Sequence, residues 1–215
     1  MLNYEKKLHF DRHYQKLQEL SSTARHGGWH RVTALLLAAV CYAPLYYGAK
    51  YLLALCPDLP LWRHTALWFW VGPVPVYLAD VLYFVCGFVF FCWGGARLGA
   101  AGAQTPGKGR TAGAPPTLLT SGIYAKVRHP MYGAFILLQS GFLLSLRSLA
   151  GLLLALLIIA GQYANAVVEE RRTLLPLFGE AYTAYRAKVP QRLFRHGEAA
   201  LLLFAVLLSA AGLFF

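Results

Sequence analysis

The sequence predicts an all-α integral membrane protein with about five transmembrane helices, and three observations support this class. Of the 215 residues, 58% are hydrophobic and only 13% are charged, whereas soluble globular chains carry roughly 25% charged residues. The apolar residues form continuous runs instead of alternating with polar ones, which favours spanning helices over a membrane β-barrel. Lys and Arg are concentrated in every second segment between these runs, as in multi-pass membrane proteins.

Five apolar runs are long enough, or nearly long enough, to cross a bilayer, for which a helix needs about 20 residues. The second run is predicted to begin near Val74 because Pro73 and Pro75 disfavour a helix before it. Trp62, Trp68 and Trp70 are then expected to lie in an interfacial belt. The predicted spans are residues 32–49, 74–94, 131–146, 149–168 and 199–215.

The distribution of positive charge predicts the orientation of these spans. Segments 1–31, 95–130 and 169–198 contain six, five and six Lys and Arg residues, against three in the alternate segments. The positive-inside rule therefore predicts a cytoplasmic amino terminus and an external carboxy terminus. It also accounts for the formal charge of +11 without a nucleic acid partner.

The chain is expected to divide into four regions. Residues 1–31 form a cytoplasmic interfacial helix or, alternatively, a solvated tail, since the apolar positions of residues 4–24 recur at helical spacing. Residues 32–98 hold the first two spans, residues 99–198 form a core around a helical hairpin, and residues 199–215 are the last span. No cleaved signal peptide is expected. The four cysteines lie in apolar runs without metal-ligand spacing, so they are interpreted as packing residues and no metal site is predicted.

The third span is short, and this draws polar residues toward the lipid. Sixteen residues reach roughly 24 Å, less than the roughly 30 Å of a hydrocarbon core. Because only Arg147 and Ser148 separate the third and fourth spans, these must form an antiparallel hairpin. Counting back and forward from that turn places residues 128–132 opposite Glu169 and Glu170. The pattern is compatible with a simple Arg128–Glu169 salt bridge or with a pocket for a charged small molecule beside the lipid.

Two linked motifs resemble those of one family of membrane enzymes. The first consists of residues 120–124 (TSGIY) and residues 128–132 (RHPMY); the second consists of Glu169-Glu170, a Phe-Gly pair at 178–179, two tyrosines at 182 and 185, and Val-Pro at 189–190. Together they are similar to the isoprenylcysteine carboxyl methyltransferase family and its phospholipid methyltransferase relatives. The resemblance covers about residues 99–192.

The resemblance implies S-adenosylmethionine as methyl donor, a cytoplasmic cofactor pocket, and a lipophilic or prenylated acceptor that enters from the bilayer between helices. It further implies that Glu170 meets the donor's ammonium, that His129 meets its carboxylate, and that tyrosines face the adenine or the sulfonium cation. The implied cofactor contacts are Gln104, Thr117, Leu118, Leu119, Tyr124, His129, Pro130, Met131, Tyr132 and Glu170.

On the acceptor side the predicted catalytic residues are Arg128, Glu169 and Asn165. One position departs from the family pattern, because Ala166 stands where prenylcysteine methyltransferases carry an arginine that engages the substrate. Asn165, Gln162 or Arg171 would then replace that arginine, or the acceptor is of another kind. A carboxylate or thiolate acceptor needs no general base, whereas an amine or hydroxyl does.

Three questions remain open on the sequence: the class of protein, the role of residues 99–117 and the role of Asp80. The chain could be a sterol-reductase-like membrane oxidoreductase, although it contains no dinucleotide fingerprint, or a lipid-binding protein without catalysis. Residues 99–117, rich in Gly, Ala, Pro and Thr, could be a flexible connector or a ligand-binding loop. Asp80, inside the second span, either links helices by hydrogen bonds or reaches the acceptor.

Overall fold

The computed structural model describes residues 28–55, 59–104 and 117–215. The chain divides into two units, residues 1–43 and residues 44–215, and the boundary falls inside the first helix, α1 (Gly28–Leu55). The interfacial helix expected over residues 4–24 and most of the Gly-rich loop lie outside the described residues. All contacts below are within the second unit.

The chain is mostly helical, as predicted. The helices after α1 are α2 (Leu78–Gly102), α3 (Pro130–Ser145), α4 (Leu149–Glu169), α5 (Leu175–Lys188) and α6 (His196–Ala211). The third span was predicted to within one residue at each end. Within the described residues, Val32–Leu55, Leu78–Gly102 and Leu149–Lys188 are long and apolar enough to cross a membrane, and α3 and α6 are shorter apolar helices. The number of crossings and their orientation remain predictions.

The expectation of an all-α chain is wrong just before α2. Strands β1 (Leu67–Val71) and β2 (Val74–Tyr77) form an antiparallel hairpin whose turn contains Gly72 at φ +57°. Residues in β1 are exposed throughout, and most are aromatic or β-branched, which suits strands. The helix predicted from residue 74 therefore begins four residues later, at Leu78, and it runs on to Gly102, into the segment that was expected to be irregular.

Close packing of α2 against α3 depends on glycine. A Cβ atom on Gly94 would lie 2.8 Å from Cγ of Leu138, and one on Gly141 would collide with Cβ of Phe90. Small residues at such positions let two apolar helices approach closely in lipid. The predicted hairpin between α3 and α4 is also present: Ser148 caps α4 by accepting a hydrogen bond from the Gly151 N–H at 2.9 Å. These contacts hold α2, α3 and α4 as neighbours.

Past α4 the helix does not stop. It continues through a π-helical turn, Glu170–Leu174, into α5, and α5 is kinked at Gly179, where φ is +51°. Single π-turns inside long helices are frequently found at functional sites. Here the turn begins at Glu170, so the helical register changes directly after Glu169.

At the α3–α4 turn, Asp80, Lys50 and Arg147 form a buried group, the Asp80 cluster. Oδ1 of Asp80 accepts hydrogen bonds from Lys50 Nζ at 2.6 Å and from Arg147 Nε at 2.8 Å. Arg147 Nη1 also donates to the carbonyl of Leu61 at 2.8 Å. Asp80 thus links elements, and α3 separates it by roughly 24 Å from Glu170. Of the two roles left open for Asp80, the structure supports the linking one.

Candidate active site

At the opposite end of α3, Arg128 pairs with a glutamate, as the hairpin count predicted. The partner is Glu170, the second of the two neighbouring glutamates. Arg128 Nε lies 2.8 Å from Oε1 of Glu170. Arg192 Nη2 donates to Oε2 of the same carboxylate at 3.0 Å, and Nε2 of His129 lies 3.1 Å from its Oε1. Glu170 is only 2% exposed. These four residues, Glu170, Arg128, His129 and Arg192, are called the Glu170 cluster.

Two extended segments position this cluster by backbone hydrogen bonds. The N–H of Arg128 donates to the Gln191 carbonyl at 3.0 Å, and the N–H of His129 donates to the Arg192 carbonyl at 2.8 Å. Arg128 Nη1 also donates to the carbonyls of Val189 at 2.6 Å and Pro190 at 2.7 Å. The two sequence motifs are therefore joined in space through the Val-Pro pair of the second motif.

Glu169 is the more accessible of the two glutamates. Its side chain is 37% exposed, and its Oε2 lies 3.2 Å from Nδ1 of His129. His129 thus stands between the two carboxylates, one on each ring nitrogen.

A cavity of about 310 Å³ opens beside Glu169. We call it the tyrosine cavity because four tyrosines line it. Eight of the ten residues predicted to contact a cofactor are in its wall: Thr117, Leu118, Leu119, Tyr124, His129, Pro130, Met131 and Tyr132. The remaining wall is formed by Arg128, Phe135, Glu169, Leu174, Phe178, Tyr182 and Tyr185.

Three predicted site residues do not line this cavity. Glu170 is enclosed by its own cluster, and Asn165 is exposed on α4. Gln104 lies against Gly122, which has φ +57° and where an added Cβ would collide with the Gln104 amide. Its Oε1 is buried without a hydrogen-bond partner among the described residues. Gln104 therefore supports the backbone of the first motif near the cavity.

Tyr182 and Tyr185 differ in how their hydroxyls are used. The Tyr185 hydroxyl donates to the Tyr124 carbonyl at 2.7 Å. The Tyr182 side chain is 1% exposed, and its hydroxyl makes no hydrogen bond of ordinary geometry within the described residues. A buried hydroxyl without a partner costs free energy. The Tyr182 side chain belongs to the cavity wall, while its hydroxyl is covered.

A second, larger cavity of about 780 Å³ lies between α4 and α6. We call it the apolar groove. Its walls are mainly aliphatic side chains of α3, α4 and α6, and Arg128, Tyr163 and Arg192 are its principal polar residues. Arg192 Nη1 donates to the Tyr163 hydroxyl at 2.6 Å. Hydrogen bonding to Glu170 raises the pKa of the Arg192 guanidinium above its usual value, so this end of the groove is firmly cationic.

Arg128 lines both the tyrosine cavity and the apolar groove. Ala166, the position that departs from the family pattern, is fully buried and packs against Ile136, Leu193 and Leu202. An arginine there would have to displace this packing. The guanidinium near the groove comes instead from Arg192, which the sequence analysis counted only as one basic residue among others. Its place two residues after the Val-Pro pair was the available signal.

Comparisons with known proteins agree with the motif resemblance. The model of the phospholipid methyltransferase family matches residues 76–181, just under half of the chain. A protein-S-isoprenylcysteine O-methyltransferase of Schizosaccharomyces pombe is 37% identical over 73 residues, which are 34% of this chain and 31% of that protein. The chain thus spans about a third of the length of that curated relative. No solved structure matches. The family resemblance is confirmed for the central region, which holds Arg128 and His129 of the first motif and both glutamates of the second.

Proposed function

We propose that this protein transfers a methyl group from S-adenosylmethionine to a lipophilic acceptor. Two observations support the proposal: the central region matches the phospholipid methyltransferase family, and two cavities meet at Arg128. The donor would occupy the tyrosine cavity and the acceptor the apolar groove. The observation that carries this proposal is the convergence of eight predicted cofactor contacts on one cavity wall.

The residues of the tyrosine cavity suit a donor that carries an ammonium, a carboxylate, a sulfonium and an adenine ring. Glu169, 37% exposed in the wall, offers a carboxylate for the ammonium. The faces of the four tyrosines attract a sulfonium cation and stack with an aromatic base. Tyr182 would turn its unpartnered hydroxyl toward the same ligand.

The geometry favours Glu169 over Glu170 as the partner of the donor's ammonium. Glu170 already accepts hydrogen bonds from Arg128 and Arg192 and is almost fully buried. Its charge is therefore balanced inside the protein, and it acts as a positioning residue that holds Arg128 between the two cavities. This assigns to the first glutamate the role that the family resemblance had carried over to the second.

The apolar groove suits an acceptor with a long hydrocarbon chain and an anionic head. Its volume and aliphatic walls fit a lipid chain, and Arg192 and Arg128 provide positive charge at the end nearest the tyrosine cavity. Guanidinium groups bind carboxylates well. An acceptor carboxylate held here would face the donor without a general base, which places a prenylated or fatty carboxylate first among the acceptors.

The protein's contribution to such a reaction is positioning and exclusion of water. Bound S-adenosylmethionine supplies a methyl group activated by its sulfonium. Arg128 would orient the acceptor's nucleophilic oxygen toward that methyl, and Tyr132 and His129 would hold the donor against the junction. As the new oxygen–carbon bond forms, the carbon–sulfur bond breaks and the sulfur leaves as a neutral thioether, so no proton has to move.

The test is methyl transfer from tritiated S-adenosylmethionine into lipids by the purified protein in nanodiscs. The substrates are a total lipid extract, a farnesylated cysteine derivative and a fatty acid, and labelled products are resolved by mass spectrometry. We expect label in a carboxyl methyl ester, from which mild base releases the label as volatile methanol. Glu169→Gln should weaken donor binding, measured by calorimetry, roughly tenfold because it removes an ion pair to the ammonium.

The matched control is Glu180→Gln, which neutralises an exposed glutamate outside both cavities. It should leave binding and transfer unchanged. Failure of S-adenosylmethionine to bind would overturn the proposal. Oxidation of NADPH without any methyl transfer would instead support the oxidoreductase alternative, and donor binding without label in any lipid class would limit the protein to binding.

A further inference from the structure

A third cavity, of about 280 Å³, is lined by Arg97 near the end of α2. Its charged wall residues are Arg97, Lys126, Arg195 and Glu198, and its apolar ones include Trp93 and Val127. We call it the basic cavity. It is formed by the last turns of α2, the segment just before Arg128, and the start of α6. No residue of the basic cavity lines the tyrosine cavity or the apolar groove.

The charges in this wall do not balance. Arg97 Nη1 pairs with Oε2 of Glu198 at 2.8 Å, and Glu198 also accepts from the Arg195 N–H at 2.8 Å. In the part of the chain that the structure describes, no salt bridge involves Lys126 or the Arg195 guanidinium. Two positive charges therefore remain at the mouth of the cavity, and the amino-terminal end of α6 adds a favourable field for an anion.

Arg97 provides an independent observation at the base of the same cavity. Its side chain is 4% exposed, it donates to the Leu193 carbonyl, and its guanidinium lies 5.2 Å from the centre of the Phe194 ring. Its Nε is nevertheless buried without a hydrogen-bond partner among the described residues. A buried cationic donor without a partner is costly, so this wall residue keeps one unpaired N–H in addition to the two unpaired cations at the mouth.

The position of the cavity identifies the kind of anion. Arg97 lies near the end of α2, a helix apolar enough to cross a membrane, and Trp93 lies one turn earlier on the same helix. Tryptophan beside basic residues at a helix end is typical of the level of lipid headgroups. Lipid phosphates lie at this depth, and clusters of Lys and Arg between helices bind anionic headgroups.

We propose that the basic cavity binds the phosphate of an anionic membrane phospholipid, with Lys126 and Arg195 on the phosphate oxygens and Trp93 against the start of an acyl chain. This does not depend on the methyltransferase proposal. Since Lys126 and Arg195 lie close in sequence to Arg128 and Arg192, a bound lipid would also brace the two segments that hold the Glu170 cluster.

The experiment measures lipid retention by native mass spectrometry of the protein released from detergent with defined phosphatidylglycerol or phosphatidylcholine. We expect selective retention of phosphatidylglycerol by the natural sequence. Combined Lys126→Gln and Arg195→Gln should weaken retention about 25-fold, since each cation near a headgroup contributes about fivefold. Lys126→Arg alone should retain the lipid because the charge is kept. Both residues are exposed, so these variants are expected to fold.

The matched control is the combined variant Arg186→Gln and Lys188→Gln, which removes two exposed cations that line none of the three cavities. Equal loss of phosphatidylglycerol in both double variants would overturn the proposal, because the effect would then be general electrostatic attraction. Equal retention of both lipids by the natural sequence would overturn it as well. Displacement of the lipid by millimolar inorganic phosphate would assign the cavity to a free anion and would likewise overturn the lipid site.

Discussion

A buried carboxylate bound to arginine lies near each end of α3, Asp80 at one end and Glu170 at the other, yet their surroundings differ. In the Asp80 cluster, Arg147 donates to Asp80 and to the Leu61 carbonyl, and none of the three cavities is lined by Asp80 or Arg147. In the Glu170 cluster, Arg128 and Arg192 are equally well bonded, but Arg128 faces two cavities and Arg192 faces one. A further, apolar cavity of about 520 Å³ lies beside the first cluster, but neither Asp80 nor Arg147 lines it. The second cluster is instead the partition between two cavities.

This contrast shows that a buried charge inside an apolar bundle does not by itself indicate a functional site. Both Asp80 and Glu170 are costly to bury and both are fully paired. What distinguishes Glu170 is the open volume beside its arginines and the accessible second carboxylate, Glu169. Three substitutions would break or sharpen the comparison.

The largest effect is expected from Glu170→Gln. The substitution leaves the buried Arg128 and the partly exposed Arg192 without a counter-charge, and removing one partner of a buried ion pair costs about 3–5 kcal/mol. We expect a much lower unfolding temperature in detergent and loss of methyl transfer even in the folded fraction, because Arg128 is no longer held at the junction. Size-exclusion chromatography followed by the transfer assay separates the two losses. Normal transfer by the folded fraction would contradict the positioning role.

Asp80→Asn should destabilise the protein by a similar mechanism without affecting chemistry. The expected cost is about 3 kcal/mol, near the lower end for such pairs, because Arg147 keeps its backbone carbonyl partners. Donor affinity and transfer rate per folded molecule should equal those of the natural sequence. A selective fall in the transfer rate with unchanged unfolding temperature would show instead that Asp80 takes part in the reaction.

The smallest effect is expected from Tyr182→Phe, and its two readouts should move in opposite directions. Removing a buried hydroxyl that has no partner should leave the unfolding temperature of the ligand-free protein unchanged or slightly raised. Affinity for S-adenosylmethionine should fall about threefold to tenfold, as for one lost hydrogen bond. Tyr185→Phe is the matched control, because its hydroxyl is bonded to the Tyr124 carbonyl and should report on stability. Unchanged donor affinity in Tyr182→Phe would remove that hydroxyl from the proposed site.

Much of the helical architecture follows from hydrophobic run length alone. The third predicted span is correct to one residue because Pro130 starts α3 and the polar Arg147–Ser148 turn ends it. The segment before α2 was not predictable in the same way. Its apolar residues are compatible with a spanning helix or with strands, and the choice of a β-hairpin depends on pairing between residues 67–71 and 74–77.

Run lengths, the two-residue turn and the motifs were sufficient to bring Arg128 and His129 to the paired glutamates and to name most of the tyrosine cavity's wall. Only the tertiary structure decided which glutamate is buried and which is accessible, because neighbouring residues on a helix point in different directions and the π-turn at Glu170 shifts the register after it. The contact of Arg192 with Glu170 was likewise decided only by the tertiary structure, through backbone hydrogen bonds between segments more than 60 residues apart in sequence. Local pattern determines where helices begin and end, whereas long-range packing determines which charges face a cavity.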